Sequence, residues 1–215
     1  MKKATKKEIS AIKELLLENY SEAVTELNYR NLYELLISVM LSAQCTDKRV
    51  NIITPALFEK FPDTKSLADA NEDDVKEFIK SCSFFNAKST NLIKMAKRVE
   101  EVFEGEIPLD EKKLVSLAGV GQKTAHVVLI EYTGANLMAV DTHVFRVSHR
   151  LGLSKEKTAL KTEEDLVKVF KDNLHQLHQG MVLYGRYICT AQRPKCESEC
   201  YLQEFCKSRE NFKPG

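Results

Sequence analysis

The chain has no apolar run long enough to cross a membrane. A span needs about 20 such residues, and the longest apolar stretch, Leu32–Leu41, falls well short. A basic start, Met1-Lys2-Lys3, leads into the polar Ala4–Ser10, so no export signal is expected and the cytosol is the expected compartment. Charge of one sign is also missing. There are 32 Lys and Arg against 31 Asp and Glu, a net charge of +1. Bulk charge therefore does not mark a nucleic-acid binder, and distribution must decide. Residues 63–78 are acidic, with Asp63, Asp69, Glu72, Asp73, Asp74 and Glu77. Lys88, Lys94, Lys97 and Arg98 make residues 88–98 basic, and Arg186, Arg193 and Lys195 do the same for 186–195. That segregation allows one basic face on a neutral protein, and ordinary solvated helix faces give the same pattern. Proline (5) and glycine (8) are too sparse to form a linker that divides the 215 residues. No strand alternation, repeat or low-complexity segment interrupts the chain.

What is present is helical periodicity. Ile9, Ile12, Leu15 and Leu16 form one apolar stripe, and Leu32–Leu41 reads as a buried helix. Asn71 has the character of an N-cap. Leu92, Ala96, Val99 and Phe103 repeat at helical spacing over residues 88–104, which Gly105 and Pro108 close. Further helices are expected over Leu114–Leu117, Lys123–Tyr132, Thr142–Leu151, Glu163–Phe170 with Thr162 as cap, and Asn173–Cys189. The fold class expected is all-α.

Residues 117–126 read Leu-Ala-Gly-Val-Gly-Gln-Lys-Thr-Ala-His, and Val140-Asp141-Thr142-His143 follows. A turn over Gly119, Val120 and Gly121 directs backbone N–H groups outward at a helix start, which makes an anion site. Lys123 falls on the first turn of that helix, beside the anion. If the anion is a DNA phosphate, its amine faces a sugar. Base removal builds positive charge on the sugar. A neutral amine that attacks C1′ forms a Schiff base, and this acidifies the C2′ proton and opens the route to strand cleavage. A carboxylate can take the amine's proton, and Asp141 is the candidate. Plain alternatives are solvation for Lys123 and an N-cap role for Asp141, although capping and catalysis are compatible.

Four of the six cysteines crowd into the tail, Cys189, Cys196, Cys200 and Cys206, spaced C-x6-C-x3-C-x5-C. Thiols this dense without an export signal read as a metal site, with zinc the first choice from spacing alone. Cys45 and Cys82 stand apart in apolar surroundings and read as small buried side chains.

Three segments in order, Leu41-Ser42-Ala43-Gln44-Cys45-Thr46-Asp47, Leu117–Ala125 and Val140–Arg146, resemble the endonuclease III family of DNA glycosylases. The likeness runs from about residue 5 to residue 206, with Ala118 where many members carry proline. It implies two helical domains. Residues 22–134 would form a six-helix domain with the helix-hairpin-helix, and residues 1–21 plus 135–215 an iron–sulfur domain. A DNA-binding cleft would lie between them, with Lys123 on one wall and Asp141 on the other. The same resemblance implies a [4Fe–4S] cluster on Cys189, Cys196, Cys200 and Cys206, although the family spacing is C-x6-C-x2-C-x5-C and this chain has one extra residue within Glu197-Ser198-Glu199. The cluster would hold a loop presenting Arg193 and Lys195 to phosphates. Gln44 would fill the space left by a flipped nucleotide, and Phe84 would wedge the opposite strand. For Phe84 and Phe85 core packing is the alternative; His143 reads as a packing residue. The implied activity is a bifunctional glycosylase and abasic-site lyase acting on oxidised or ring-saturated pyrimidines. Its partner would be double-stranded DNA carrying a damaged base or abasic site, met by a monomer in the cytoplasm at the nucleoid. The related adenine mismatch glycosylases typically lack a lysine at the position of Lys123. A DNA-binding or redox-sensing module without catalysis would not need both Lys123 and Asp141.

Overall fold

In a computed structural model, the described residues, 2–208, form eleven α-helices and one 3₁₀ turn, with no strand among them. None of these helices is long and apolar enough to cross a membrane. The helices belong to two compact units. One runs to Thr25 and resumes at Thr133; the other is Glu26–Tyr132.

The unit Glu26–Tyr132 holds α2 (Leu32–Ser42), α3 (Asp47–Lys60), α4 (Thr64–Ala68), α5 (Glu72–Ile79), α6 (Phe85–Phe103), α7 (Glu111–Val115) and most of α8 (Gln122–Thr133). Side chains of Asn31, Thr46, Asp63, Asn71 and Asp110 each accept a backbone N–H at a helix start. Such caps contribute about 1 kcal/mol each. Every residue of α2 from Tyr33 to Leu41 is buried, as a helix with no polar face requires. It packs on α6, whose Leu92, Met95, Ala96 and Val99 are fully buried. Each large aliphatic side chain buried this way stabilises the fold by about 1.5–3 kcal/mol. Helix α6 begins at Phe85, three residues before its periodicity announces it.

The other unit holds α1 (Lys6–Asn19), α9 (Thr142–Arg150), α10 (Ala159–Phe170), α11 (Leu174–Tyr187) and the 3₁₀ turn Gln203–Phe205. Thr5 and Glu8 form a capping box on α1. Ile12, Leu16, Val147, Leu166, Leu177 and Met181 meet in its core. Helix α11 crosses α9 closely, because a Cβ on Gly185 would lie 2.9 Å from the Cβ of His143. One expected helix start is corrected. Helix α10 begins at Ala159, with Thr158 rather than Thr162 as cap; Thr158 has the extended backbone a cap needs, and Thr162 is buried one turn inside. Asn173 does precede α11, but at φ 55° its side chain makes no cap. The Asn136 side chain accepts the Leu174 N–H instead, at 2.9 Å.

Candidate active site

The hairpin lies between α7 and α8. Leu117 and Val120 are buried beneath the turn, and the Val120 N–H donates to the Leu117 carbonyl at 3.1 Å. The Val120 side chain and N–H are therefore both turned inward, and Val120 serves the turn itself. Gly119, at φ 77°, has the left-handed conformation that disfavours any side chain, and a Cβ there would strike Asn91 and Met40. Gly121 is different. Open space surrounds its missing Cβ, and its carbonyl accepts the Ala125 N–H at 2.9 Å. The backbone at Gly121 is bare toward solvent, which suits close approach by a ligand. Lys123 is exposed on the first turn of α8. Beneath it, His126 Nε2 lies 3.1 Å from Glu111 Oε1, at the first residue of α7.

Helix α6 organises three turns around this hairpin. Phe84 sits at its N-terminus, at φ 59° and 64% exposed, so the core-packing alternative fails for this side chain. One turn on, Lys88 Nζ donates to the carbonyls of Leu41 at 2.8 Å and Ala43 at 2.7 Å. Those bonds close the C-terminus of α2 and hold the turn where exposed Gln44 stands at φ 55°. Next comes Asn91 against Gly119, and then Arg98, whose Nε donates to Ser116 Oγ at 3.3 Å. Left-handed backbone at a glutamine and a phenylalanine costs on the order of 1–3 kcal/mol each. Lys88, Asn91 and Arg98 carry no local motif; their i, i+3 and i+10 spacing on a single helix was the available signal.

In the other unit, Asp141 caps α9. Its Oδ1 accepts the Val144 N–H at 2.8 Å, and the carboxylate is half-buried. His143 behaves as a packing residue, with Nδ1 3.2 Å from Arg146 Nη2. Arg146 and Arg150, one turn apart on α9, face the tail. Arg146 Nε donates to the Cys189 carbonyl at 2.9 Å. Arg150 Nη1 donates to the Thr190 carbonyl at 2.7 Å and to Cys189 Sγ at 3.2 Å. One helix thus carries the candidate acid–base residue and grips the first tail cysteine. Neither arginine was singled out by sequence reasoning.

Cys189, Cys196, Cys200 and Cys206 line a single pocket with Arg150, Leu151, Tyr184, Ile188, Pro194 and Gln203. No His, Asp or Glu lines it, so its donors are four soft sulfurs, the set that suits iron–sulfur or zinc. Among the described residues, no three His, Cys, Asp or Glu side chains gather closely enough to hold one metal ion. Burial pushes the Tyr184 phenol up, and its hydroxyl stands 2.8 Å from Cys200 Sγ. The segment between Cys196 and Cys200 carries an ion pair back to the preceding loop. Glu199 takes both oxygens to Lys195 Nζ, at 2.8 and 2.9 Å, so the cation expected to meet phosphates already holds a carboxylate. Arg193 is exposed.

A glycine hairpin with a lysine on the following helix, and an aspartate capping the next, defines a class of protein. The model of the HhH-GPD superfamily base excision DNA repair proteins matches residues 37–172. The chain is 40% identical over 200 residues to endonuclease III of Rickettsia felis, covering 93% of each chain. It is 39% identical over 196 residues to endonuclease III of Escherichia coli K12, covering 91% of this chain and 92% of that one. A structure of a trapped endonuclease III–DNA covalent intermediate, an estranged-adenine complex, superposes with a TM-score of 0.92 at 37% identity, over 97% of this chain and 98% of that one. The chain belongs to the endonuclease III family within that superfamily.

Proposed function

We infer that this protein is a bifunctional DNA glycosylase and abasic-site lyase of base excision repair. One observation carries the reading. Lys123 is exposed at the start of α8, directly after the Gly119–Gly121 turn, in a chain superposing over 97% of its length on an endonuclease III trapped covalently on DNA. The substrate is double-stranded DNA carrying an oxidised or ring-saturated pyrimidine, or an abasic site, bound by a monomer in the cytoplasm at the nucleoid.

The amides of Gly119 and Gly121 bind a backbone phosphate at the positive end of α8, with Val120 between them shaping the turn. The target nucleotide leaves the stack, Gln44 enters the vacated space, and Phe84 wedges the opposite strand. Both side chains are exposed on turns that Lys88 and the start of α6 hold in place. Lys123 Nζ attacks C1′, and the base leaves with the electron pair of the glycosidic bond. Asp141 offsets the positive charge on the sugar and accepts the proton released by the amine. Ring opening yields a Schiff base, loss of a C2′ proton expels the 3′ phosphate, and water then frees the lysine. Cys189, Cys196, Cys200 and Cys206 are the residues that would hold a [4Fe–4S] cluster. Such a cluster would supply a structural tie for the loop on which Arg193 and Lys195 stand to meet phosphates.

Borohydride trapping on abasic and lesion-bearing duplexes tests the reading. The wild type should yield a covalent protein–DNA complex and a nicked strand. Lys123→Ala should yield neither while still binding DNA, because the hairpin amides remain. Trapping by Lys123→Ala would assign the nucleophile to another amine. The purified protein should be yellow-brown and contain iron; a colourless, active protein with stoichiometric zinc would overturn the cluster assignment.

A further inference from the structure

Two cysteines outside the tail have no part in this chemistry. Cys45 Sγ and Cys82 Sγ lie 3.2 Å apart, although 37 residues separate them in sequence. Cys45 directly follows Gln44, and Cys82 comes two residues before Phe84. Each sits in a tight turn after a helix. The Cys45 N–H donates to the Ser42 carbonyl at 3.0 Å, and the Cys82 N–H to the Ile79 carbonyl at 2.8 Å. The two thiols therefore join the turn of Gln44 to the turn of Phe84 at its base. We propose that Cys45 and Cys82 are an oxidisable dithiol, and that their disulfide staples these two turns and slows the enzyme.

The chemistry is thiol–disulfide exchange with a low-molecular-weight disulfide. Cys45 is the entry point because it is half-buried, whereas Cys82 is only 3% exposed. Burial and the neighbouring Cys45 push the Cys82 thiol up to about 12, against the opposing charges of Lys88 and Arg49. The Cys45 thiolate attacks one sulfur of the external disulfide. That S–S bond breaks, one thiolate leaves, and Cys45 carries a mixed disulfide. Cys82 then gives its proton to solvent and attacks Cys45 Sγ, expelling the second thiolate. Two protein thiols are oxidised, one external disulfide is reduced to two thiols, and no other reductant or oxidant is needed. A disulfide needs its sulfurs about 2.05 Å apart, so the two turns must draw together by roughly 1 Å. Both turns carry left-handed residues, Gln44 and Phe84, and their side chains must reach opposite sides of a flipped nucleotide. Misplacement by about 1 Å at such a site costs up to 100-fold in rate. This consequence rests on the reading of Gln44 and Phe84 as DNA contacts; the dithiol does not.

The test treats the full-length protein with oxidised glutathione, alkylates the remaining thiols in acid, and reads the digest by mass spectrometry. Nicking of an abasic duplex is followed in parallel. A peptide pair joined through Cys45 and Cys82 is expected, with nicking slowed by about 10–100-fold, and dithiothreitol should reverse both. Under the same treatment Cys45→Ser keeps its rate. Cys82→Ala retains glutathione on Cys45 and forms no joined pair. Absence of the pair in the wild type overturns the dithiol, and a joined pair with unchanged nicking overturns the staple. A reduced wild type that fails to nick would sink the lyase reading and the staple with it. The joined pair would still establish the dithiol, since that readout involves no DNA.

Discussion

The Cβ that Gly119 lacks would stand 2.9 Å from the Cβ of Asn91. No such conflict exists at Gly121, two residues on, where the added atom meets open space. The two glycines of one motif therefore answer to different constraints, one from inside the protein and one from outside it.

Gly119→Ala combines left-handed backbone with contact against Asn91 and should cost about 1–3 kcal/mol of stability. Gly121→Ala should stay within about 0.5 kcal/mol of the wild type in stability. It should weaken binding to an abasic-site analogue by about tenfold, or 1.4 kcal/mol, because its methyl stands between the backbone and the phosphate. Denaturant titration and DNA titration of both variants separate the effects. Equal stability losses would show that Gly121 also serves packing.

Asp141 should divide cap from charge. Asp141→Asn keeps an oxygen for the Val144 N–H and should fold like the wild type, yet lose about 10²–10⁴ in single-turnover rate. Asp141→Ala should lose a similar rate and, in addition, about 1 kcal/mol of stability. A fully active Asp141→Asn protein would leave Asp141 with a structural role alone.

Salt dependence should expose the Lys195–Glu199 pair. Each phosphate contact contributes about 0.9 to the slope of log affinity against log salt. Arg193→Ala should flatten the slope by about that amount, and Lys195→Ala by less, since its ammonium already holds Glu199. Glu199→Gln should release Lys195 and steepen the slope. If none of the three changes it, the DNA face lies elsewhere.

Glu8 should link acid stability to the tail. The Lys207 ammonium first, and then the Thr5 N–H, hold its carboxyl down at about 2 from an ordinary value of 4.5. A carboxylate lowered on folding stabilises the protein above its unfolded value, and that contribution is lost as pH falls through the folded value. Between pH 4.5 and about 2 the wild type should therefore lose its advantage over Glu8→Gln. Thermal midpoints of the two proteins measured across that window give the comparison. A constant difference would remove the Glu8–Lys207 contact from the account.

Local sequence determined the chemistry and most of the helices. Helix periodicity, the caps at Asn71 and Asp141, the Gly-Val-Gly turn with Lys123 after it, and the grouping of four tail cysteines are short-range features fixed by backbone geometry and residue type. Helix starts were less secure. Thr158 and Thr162 lie one turn apart and are equally competent caps, and only packing buries one of them. The long-range relationships came from tertiary structure alone. Lys88 reaches the carbonyls of Leu41 and Ala43, Asn91 backs Gly119, Arg150 grips Cys189, and Cys45 meets Cys82. Each joins residues at least 28 positions apart along the chain. Such contacts follow from how helix faces pack, and periodicity identifies an apolar face without naming the face it meets. A lysine, an asparagine, an arginine or a cysteine at a helix end looks the same in sequence whether it faces water or closes a turn. Only the packed chain settles which.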